Sequence, residues 1–467
     1  MQIELNSFET LVARRIGKKA DEAGVEAWII GGFVRDKILG RPTEEMDIVC
    51  VGDAIALAHA VAESFLPKPR VSFFKTFGTA QIKLLGLTLE FVGARRESYR
   101  TDSRKPEVEP GTLEDDQKRR DLTINALAFG LNEAYFGTIT DPFNGAKHLR
   151  EGILMTPLDP NITFSDDPLR MMRAIRFASQ LGFMIHPATL HAITTQKERI
   201  SIVSKERVAD ELNKIVLSPK PSVGFDLLYK TGLLHIFFPQ MVALAGAAYI
   251  DGLGHKDNFY HTLQVLDNIA ENTDDLWLRW AAILHDIGKP VTKKFEEGHG
   301  WTFHGHEVVG ARMVPKIFAQ LKLPQNEKMR FVEKLVLLHL RPISLTKENI
   351  TDSAIRRLLF DAGEDFEDLM TLCAADITSK NKAKVRRFRE NFEMVKERCA
   401  EVEHKDHLRN WQPPVDGNAI MERYKLPQGH AVGILKTALK DAILDGVVAN
   451  NTEAAYAFLD EEVKKLS

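Results

Sequence analysis

Strand-like runs crowd into the first 150 residues of this chain, and that asymmetry limits its fold more than any other feature. Short apolar runs at 27–30 (AWII), 47–51 (DIVCV), 80–84 (AQIKL) and 88–92 (TLEFV) alternate there with helical stretches. From about Pro168 onward apolar residues recur at helical spacing. The pattern predicts an α+β chain: an α/β head built on a small mixed β-sheet, followed by a long all-α body. At 467 residues the chain exceeds what one core organises. Helix-ending clusters near 156–168 (TPLDPNITFSDDP), 217–222 (LSPKPS) and 410–418 (NWQPPVDGN) mark boundaries. Four segments are expected, at 1–155, 156–245, 246–400 and 401–467.

Charge matters here for what it excludes. A formal net charge of −3 leaves no bulk attraction for a polyanion, so a nucleic-acid partner needs a local basic patch. One exists at 379–389 (SKNKAKVRRFR), with six basic residues and no acid, of which Lys382, Lys384, Arg386 and Arg387 are candidate RNA contacts. A solvated helix face is the plainer alternative. The cysteines, Cys50, Cys373 and Cys399, are odd in number and lack metal-type spacing, which fits a reducing cytosol. Residues 1–24 read as an amphipathic helix carrying Arg14, Arg15, Lys18 and Lys19 rather than as a signal peptide. No stretch approaches the roughly 20 apolar residues of a membrane span, so a cytoplasmic protein is expected. The sequence names no protein partner.

In the head, the run AWII leads into Gly31-Gly32 and then a helix, an arrangement that lets backbone amides approach an anion. A plain tight turn has the same pattern. Glu45 and Asp47 follow, two apart at the start of an apolar strand, so both carboxylates face one side of the sheet. Such a pair is either solvated or binds a cation, and Mg²⁺ suits it because Mg²⁺ prefers oxygen ligands and bridges to phosphates. Together, Gly31-Gly32-x-Val34-Arg35-Asp36 and Glu45-x-Asp47 resemble the nucleotidyltransferase motif of class II CCA-adding enzymes and bacterial poly(A) polymerases. That family usually has Asp at both acidic positions; Glu45 departs from it by one methylene. The resemblance implies that Glu45 and Asp47 hold Mg²⁺, that Arg35 and the glycines lie near the phosphates, and that Glu90 is a further acid. Glu90 is equally a plausible exposed residue of an edge strand.

The run EDDQKRRDLTINALAF predicts an amphipathic helix with Leu122, Ala126 and Phe129 on its apolar side. It also matches the family's RRDxTxNA motif at Arg119, Arg120, Asp121, Thr123, Asn125 and Ala126. The resemblance implies a reading of the ribose 2′-hydroxyl by Arg120, Asp121 or Asn125. Between the motifs, YRTDSRKPEVEPG is polar, with Pro106, Pro110 and Gly111, and reads as a loop closing over substrate.

Further on, FSDDPLRMMRAIRFASQLGF predicts a helix begun at Pro168, with Met171, Ile175 and Ala178 on its buried face and Arg170, Arg173 and Arg176 on the other. The arginines form a solvated face, or Asp167 and Arg170, neighbours at i, i+3, present acceptors beside a fork of donors to a base. The family has Glu-Asp-x-x-Arg here, and this chain has Asp166-Asp167-Pro168-Leu169-Arg170. The resemblance implies base contact by Asp167 and Arg170, with Arg173 beside the nucleotide. Glu206, Arg207 and Glu211 in KERVADELNKIV resemble the family's next motif, which implies that they brace the nucleotide-binding helices rather than touch substrate.

A second constellation lies in the body. His261, His285-Asp286, His304, His306 and His339 gather into one region. A vicinal His-Asp at the end of an apolar helix is costly to bury unpaired, and coordination of a divalent transition metal removes that cost. The string His285-Asp286-Ile287-Gly288 resembles the HD phosphohydrolase superfamily. That resemblance implies His261 as the first ligand, Asp376 as the last, and His306 and His339 as accessory ligands.

The resemblance implies template-independent addition of CMP and AMP from CTP and ATP to the 3′ end of tRNA, with Mg²⁺. Poly(A) synthesis, CC-only or A-only addition, and metal-dependent HD phosphohydrolysis are the alternatives.

Overall fold

The structure is a computed structural model, and it describes residues 3–74, 78–98, 107–250, 253–254, 257–345, 351–378, 382–406 and 411–466. The chain separates into two compact units, Met1–Pro239 and Gln240–Ser467.

The first unit opens with α1 (Ser7–Ala23), begun by a reciprocal Asn6/Glu9 cap and ended at Gly24 in the left-handed conformation. Strands β1 (Glu26–Ile30) and β2 (Glu45–Val51) flank α2 (Gly32–Ile38), and α3 (Ala54–Glu63) follows. Then come β3 (Val71–Phe74), β4 (Thr79–Leu84), β5 (Leu87–Gly93), β6 (Arg95–Ser98), β7 (Glu107–Pro110) and α4 (Leu113–Lys118). Strands β8 (Ala128–Gly130) and β9 (Ile139–Thr140) complete a seven-stranded sheet of order β3-β4-β5-β2-β1-β8-β9. Only the β2–β5 pair is parallel, so the sheet is mixed, as the sequence predicts. The apolar stretches of β1 and β2 are nearly continuous because both strands lie inside the sheet.

Three expectations are corrected here. Residues 119–129 are not one amphipathic helix: α4 stops, Thr123–Asn125 form a single 3₁₀ turn, and β8 pairs with β1. The Asp121 carboxylate accepts the Leu122 N–H at 2.8 Å, and the Thr123 N–H goes to the Met155 carbonyl, so neither amide continues the helix. Glu90 is not on an edge strand, since β5 lies between β2 and β4. The segment expected to close over substrate is anchored by the β6–β7 hairpin, with Arg96 paired to Glu109, while residues 99–106 lie outside those described.

Helices α5 (Gly145–Glu151), α6 (Pro160–Asp166), α7 (Leu169–Leu181), α8 (Pro187–Gln196), α9 (Lys205–Val216), α10 (Pro221–Thr231) and α11 (Leu233–Phe237) follow in this unit, with a short parallel pair, Ile153–Leu154 and Met184–Ile185, separate from the main sheet. Met171, Ile175 and Ala178 of α7 are buried as expected. The opposite face is not solvated, however. Arg170 and Arg176 are also buried, because α9 and α10 pack on α7 and enclose it.

The second unit is mostly helical. The helices Asn258–Ala270, Leu276–Leu284, His306–Leu321, Glu327–Leu338, Asp352–Ala362 and Phe366–Asp376 precede a long helix, Lys382–Asp406, and three more follow from Gly417. Two small hairpins, Tyr249–Ile250 with Leu253–Gly254 and Lys294–Glu296 with Gly300–Thr302, are strands the helical periodicity did not announce. The buried Arg279 donates to the Ala270 and Thr273 carbonyls and so closes the turn between the first two of these helices. Cys50, Cys373 and Cys399 are all buried thiols. No helix of the described residues is long and apolar enough to cross a membrane.

Candidate functional site

In the first unit the structure brings the sequence motifs to one place around Gly31. Its φ is +83°, and a Cβ there would lie 3.0 Å from Arg120 Nη1 and 3.3 Å from Asp47 Oδ2. Positive φ and close approach both require glycine. Asp47 and Glu90 are direct partners in the β2–β5 register, and Glu45 lies two residues before Asp47 on the same face. Burial raises the Asp47 pKa to about 6; Arg120 opposes the shift, and the Glu90 and Glu45 carboxylates add to it. An oxygen-only donor set with mutually repelling charges suits a hard divalent cation.

Arg120 is held by a residue the sequence reading missed. Asp116 is fully buried and takes Arg119 on one oxygen and Arg120 on the other, at 2.9 Å from Nη2. The i, i+3 and i, i+4 spacing in DDQKRR was the available signal. Asp121 and Asn125 are mainly engaged with protein. Asn125 accepts from Arg35 Nη1 at 2.7 Å and donates to Asp121 Oδ1 at 3.0 Å, while Asp121 Oδ2 accepts from Arg173 Nε at 2.7 Å. Burial alone would raise the Asp121 pKa, yet Arg173, Asn125 and Arg170 hold it far below the usual carboxylate range. Of the three candidate ribose readers, Arg120 and Asp121 line open space, and both Asp121 oxygens already accept from protein donors.

That space is a cavity of about 450 Å³ walled by Arg119, Arg120, Asp121, Asp167, Arg170 and Arg173, with Arg207, Asp210, Glu211 and Lys214 from α9. Six cationic side chains face four acidic ones there, a balance suited to a triphosphate. Asp167 Oδ1 accepts the Leu169 N–H at 3.1 Å, and Arg170 donates to the Thr163 carbonyl. The i, i+3 pair at the start of α7 is thus anchored by local backbone. Glu211 forms a 3.3 Å ion pair with Arg176.

In the second unit His261, His285 and Asp286 offer ligand atoms within 4.8 Å of one another, as do Asp286, His306 and His339, so Asp286 belongs to both groups. Asp376 joins them at 2.9 Å from His261 Nε2. His285, His306 and His339 each direct Nδ1 to a carbonyl three residues earlier, at 2.7, 2.8 and 2.7 Å. A carbonyl only accepts, so Nδ1 carries the hydrogen and Nε2 faces the cluster. All three Nε2 atoms are buried without a hydrogen-bond partner. The 3.3 and 3.2 Å approaches of His285 and His306 Nε2 to Asp286 lack hydrogen-bond alignment. Burial lowers the His285 pKa, but Asp286 and Asp376 override it and lift the value to about 10, whereas burial and the neighbouring His285 push His339 down to about 4. Mixed nitrogen and oxygen donors fit a divalent transition metal. Lys289, not foreseen, sits 2.6 Å from Asp286.

In the basic run, Arg386 and Arg387 are exposed and Arg386 is paired with Glu390 at 2.8 Å; the side chains of Lys382 and Lys384 lie outside those described.

Residues 27–155 match the family described as the poly A polymerase head domain. Residues 182–244 match a probable RNA and SrmB-binding site of polymerase A, and residues 258–380 an HD domain. A multifunctional CCA protein of Nitrosococcus oceani is 33% identical over 370 residues, 76% of this chain and 86% of that protein. An A-adding tRNA nucleotidyltransferase of Deinococcus radiodurans is 32% identical over 356 residues, 74% and 78% of the two chains. The crystal structure of the Bacillus stearothermophilus CCA-adding enzyme in complex with CTP aligns over 99% of both chains with a TM-score of 0.64 and 25% identity. The Thermotoga maritima CCA-adding enzyme complexed with tRNA shares the fold, with a TM-score of 0.59 at 20% identity over all of both chains.

Proposed function

The chain belongs to the CCA-adding tRNA nucleotidyltransferases, and from that premise we propose how its own residues complete the 3′ end of tRNA with CMP and AMP from CTP and ATP. The observation that carries this is the meeting of Gly31 and Asp47 with Arg120, which lines a charged cavity together with Asp167 and Arg170. The family uses a divalent cation; here Glu45 and Asp47 would hold it as Mg²⁺, with Glu90 alongside. When bound, such a cation supplies charge neutralisation on the triphosphate and lowers the pKa of the attacking 3′-hydroxyl. The protein's share is positional. Arg120, fixed by Asp116, faces the sugar and phosphates, and Asp167 with Arg170 meets the pairing edge of C or A without a template.

The test uses tRNAs ending before C74, C75 or A76, with CTP and ATP offered singly and together, and sequencing of the 3′ ends. Addition of CCA followed by arrest supports the proposal. Long A-tails point to poly(A) synthesis, partial addition to a split-activity enzyme, and no addition in Mg²⁺ would sink it. Asp167→Ala should lower kcat/KM for both nucleotides by roughly tenfold to a hundredfold and admit UTP or GTP, because a bidentate base contact contributes about 1–3 kcal/mol of discrimination. Nucleotide competition assays check this.

The three partnerless Nε2 atoms favour a second activity, metal-dependent phosphohydrolysis at His261, His285, Asp286 and Asp376, with His306 and His339 as accessory ligands. Gly288 offers a probe that is not itself a ligand. A Cβ at 288 would fall 2.2 Å from the His306 carbonyl oxygen, so Gly288→Ala must push the helix His306–Leu321 away from the HD turn. The variant should lose stoichiometric metal by elemental analysis and turnover of p-nitrophenyl phosphate or a 2′,3′-cyclic nucleotide, while addition to tRNA persists. Wild-type protein with neither metal nor turnover removes this second activity. The run at 379–389 is assigned to acceptor-stem phosphates, and the compartment to the cytosol.

A further inference from the structure

Three guanidinium groups converge on one phenylalanine in the first unit. Arg35 of α2 and Arg173 and Arg176 of α7 place Cζ 4.8, 5.8 and 4.3 Å from the centroid of the Phe177 ring, all within cation–π range. The ring is only 5% exposed. Each arginine has a carboxylate of its own: Arg35 pairs with Asp36 at 2.8 Å, Arg173 with Asp121 at 2.7 Å, and Arg176 with Glu211 of α9 at 3.3 Å. The last pair is the weakest. Neither Arg176 Nε nor Glu211 Oε2 makes an aligned hydrogen bond, and burial pushes the Arg176 pKa down. Arg176 therefore depends on the ring for compensation more than its neighbours do.

This cluster joins the elements that must agree on where the nucleotide sits. Arg35 leads through Asn125 to Asp121, Arg173 returns from Asp121 to α7, and α7 begins at the Asp167/Arg170 pair. We propose that Phe177 is a positioning residue for nucleotide choice: its π system holds Arg35, Arg173 and Arg176 around one ring and thereby fixes the orientation of α7 and its base-reading end. The ring touches no reacting atom. Its action passes through the arginines, and the inference rests on the transferase activity proposed above.

The experiment replaces the ring's electrostatics without changing its shape. Phe177 is substituted by mono-, di- and trifluorinated phenylalanine, which progressively weaken the negative π face, and compared with Phe177→Leu and Phe177→Tyr. Expected is a stepwise fall of kcat for CMP and AMP addition along the fluorinated series, with KM for tRNA unchanged and misincorporation of UMP and GMP rising. Phe177→Leu should lose about tenfold in kcat/KM, the order expected from desolvated cation–π contacts, and Phe177→Tyr should stay within about threefold of wild type. A flat series overturns the role, as does equal impairment by Leu and Tyr, which would mean packing alone. Should Phe177→Leu fail to fold, the near-isosteric fluorinated series still decides. Wild-type protein inactive on tRNA would instead fail the transferase reading, so the two failures are distinguishable.

Discussion

Asp47→Asn should abolish nucleotide addition, lowering kcat by roughly a thousandfold or more while leaving tRNA affinity within about twofold; loss of a metal-held charge stabilisation of several kcal/mol gives that factor. The argument is local. Asp47 is the most enclosed of the three acids: β2 runs inside the sheet, Glu90 is its register partner on β5, and Gly31 lets Arg120 approach the same carboxylate. Asparagine keeps the shape and one oxygen but removes the charge. Because like charges crowd Asp47, the variant should unfold at the same temperature as wild type or higher in metal-free buffer, and it should lose the thermal shift that Mg²⁺ gives the wild type. Single-turnover addition on tRNA lacking A76, filter binding and thermal melts in Mg²⁺ and EDTA separate chemistry from folding. Residual addition above a tenth of wild type would remove Asp47 from the metal site. Glu45→Asp, which restores the family's usual residue, tests the neighbouring position: retained or higher activity favours a ligand role, and Glu45→Gln should then be impaired.

What could be read in advance was whatever local spacing determines. Period 2 in Glu45-x-Asp47 gave a shared face, two glycines before a helix gave the turn at Gly31, and the apolar positions of α7 gave its inner face. The order of His261, His285-Asp286, His339 and Asp376 pointed to residues that the fold brings within a few ångströms. What failed was burial on all sides. Residues 121–132 are buried throughout, so the i, i+4, i+7 spacing of Leu122, Ala126 and Phe129 defines no face, and it mimicked a helix. Of the two readings open for the arginines of α7, the solvated face fails because the partners of Arg170 and Arg176, Thr163 and Glu211, lie on α6 and α9. Asp116 was visible only as one acid among several, and its burial depends on the turn after α4. Tertiary neighbours decide these positions, and a single sequence does not display them.

The second large effect is expected at Asp121, and it concerns stability as much as activity. Both carboxylate oxygens receive donors: Oδ1 takes the Leu122 N–H and Asn125 Nδ2, and Oδ2 takes Arg173 Nε. In Asp121→Asn one of those oxygens becomes an NH₂, so a donor faces a donor on one side whichever way the amide turns. Rotating Asn125 does not help, since its oxygen already accepts from Arg35. Breaking a buried ion pair costs about 3–5 kcal/mol, and because the Arg173 side chain is 36% exposed, about 2–4 kcal/mol is expected here. For a unit of this size that corresponds to a fall of roughly 5–15 °C in the melting temperature. The pH dependence has a definite sign. Asp121 is held below the ordinary carboxylate range in the folded chain, so its contribution is complete above the unfolded pKa of about 4 and is lost as the pH falls further. The stability gap between wild type and Asp121→Asn should accordingly be constant from about pH 5 to 8 and narrow below about pH 4. Urea unfolding across that range measures it; a gap that changes near neutrality would mean that Asp121 is not ionised in the folded protein. The same substitution frees Arg173 from the line that ties Arg35 to α7, so nucleotide choice should deteriorate along with stability.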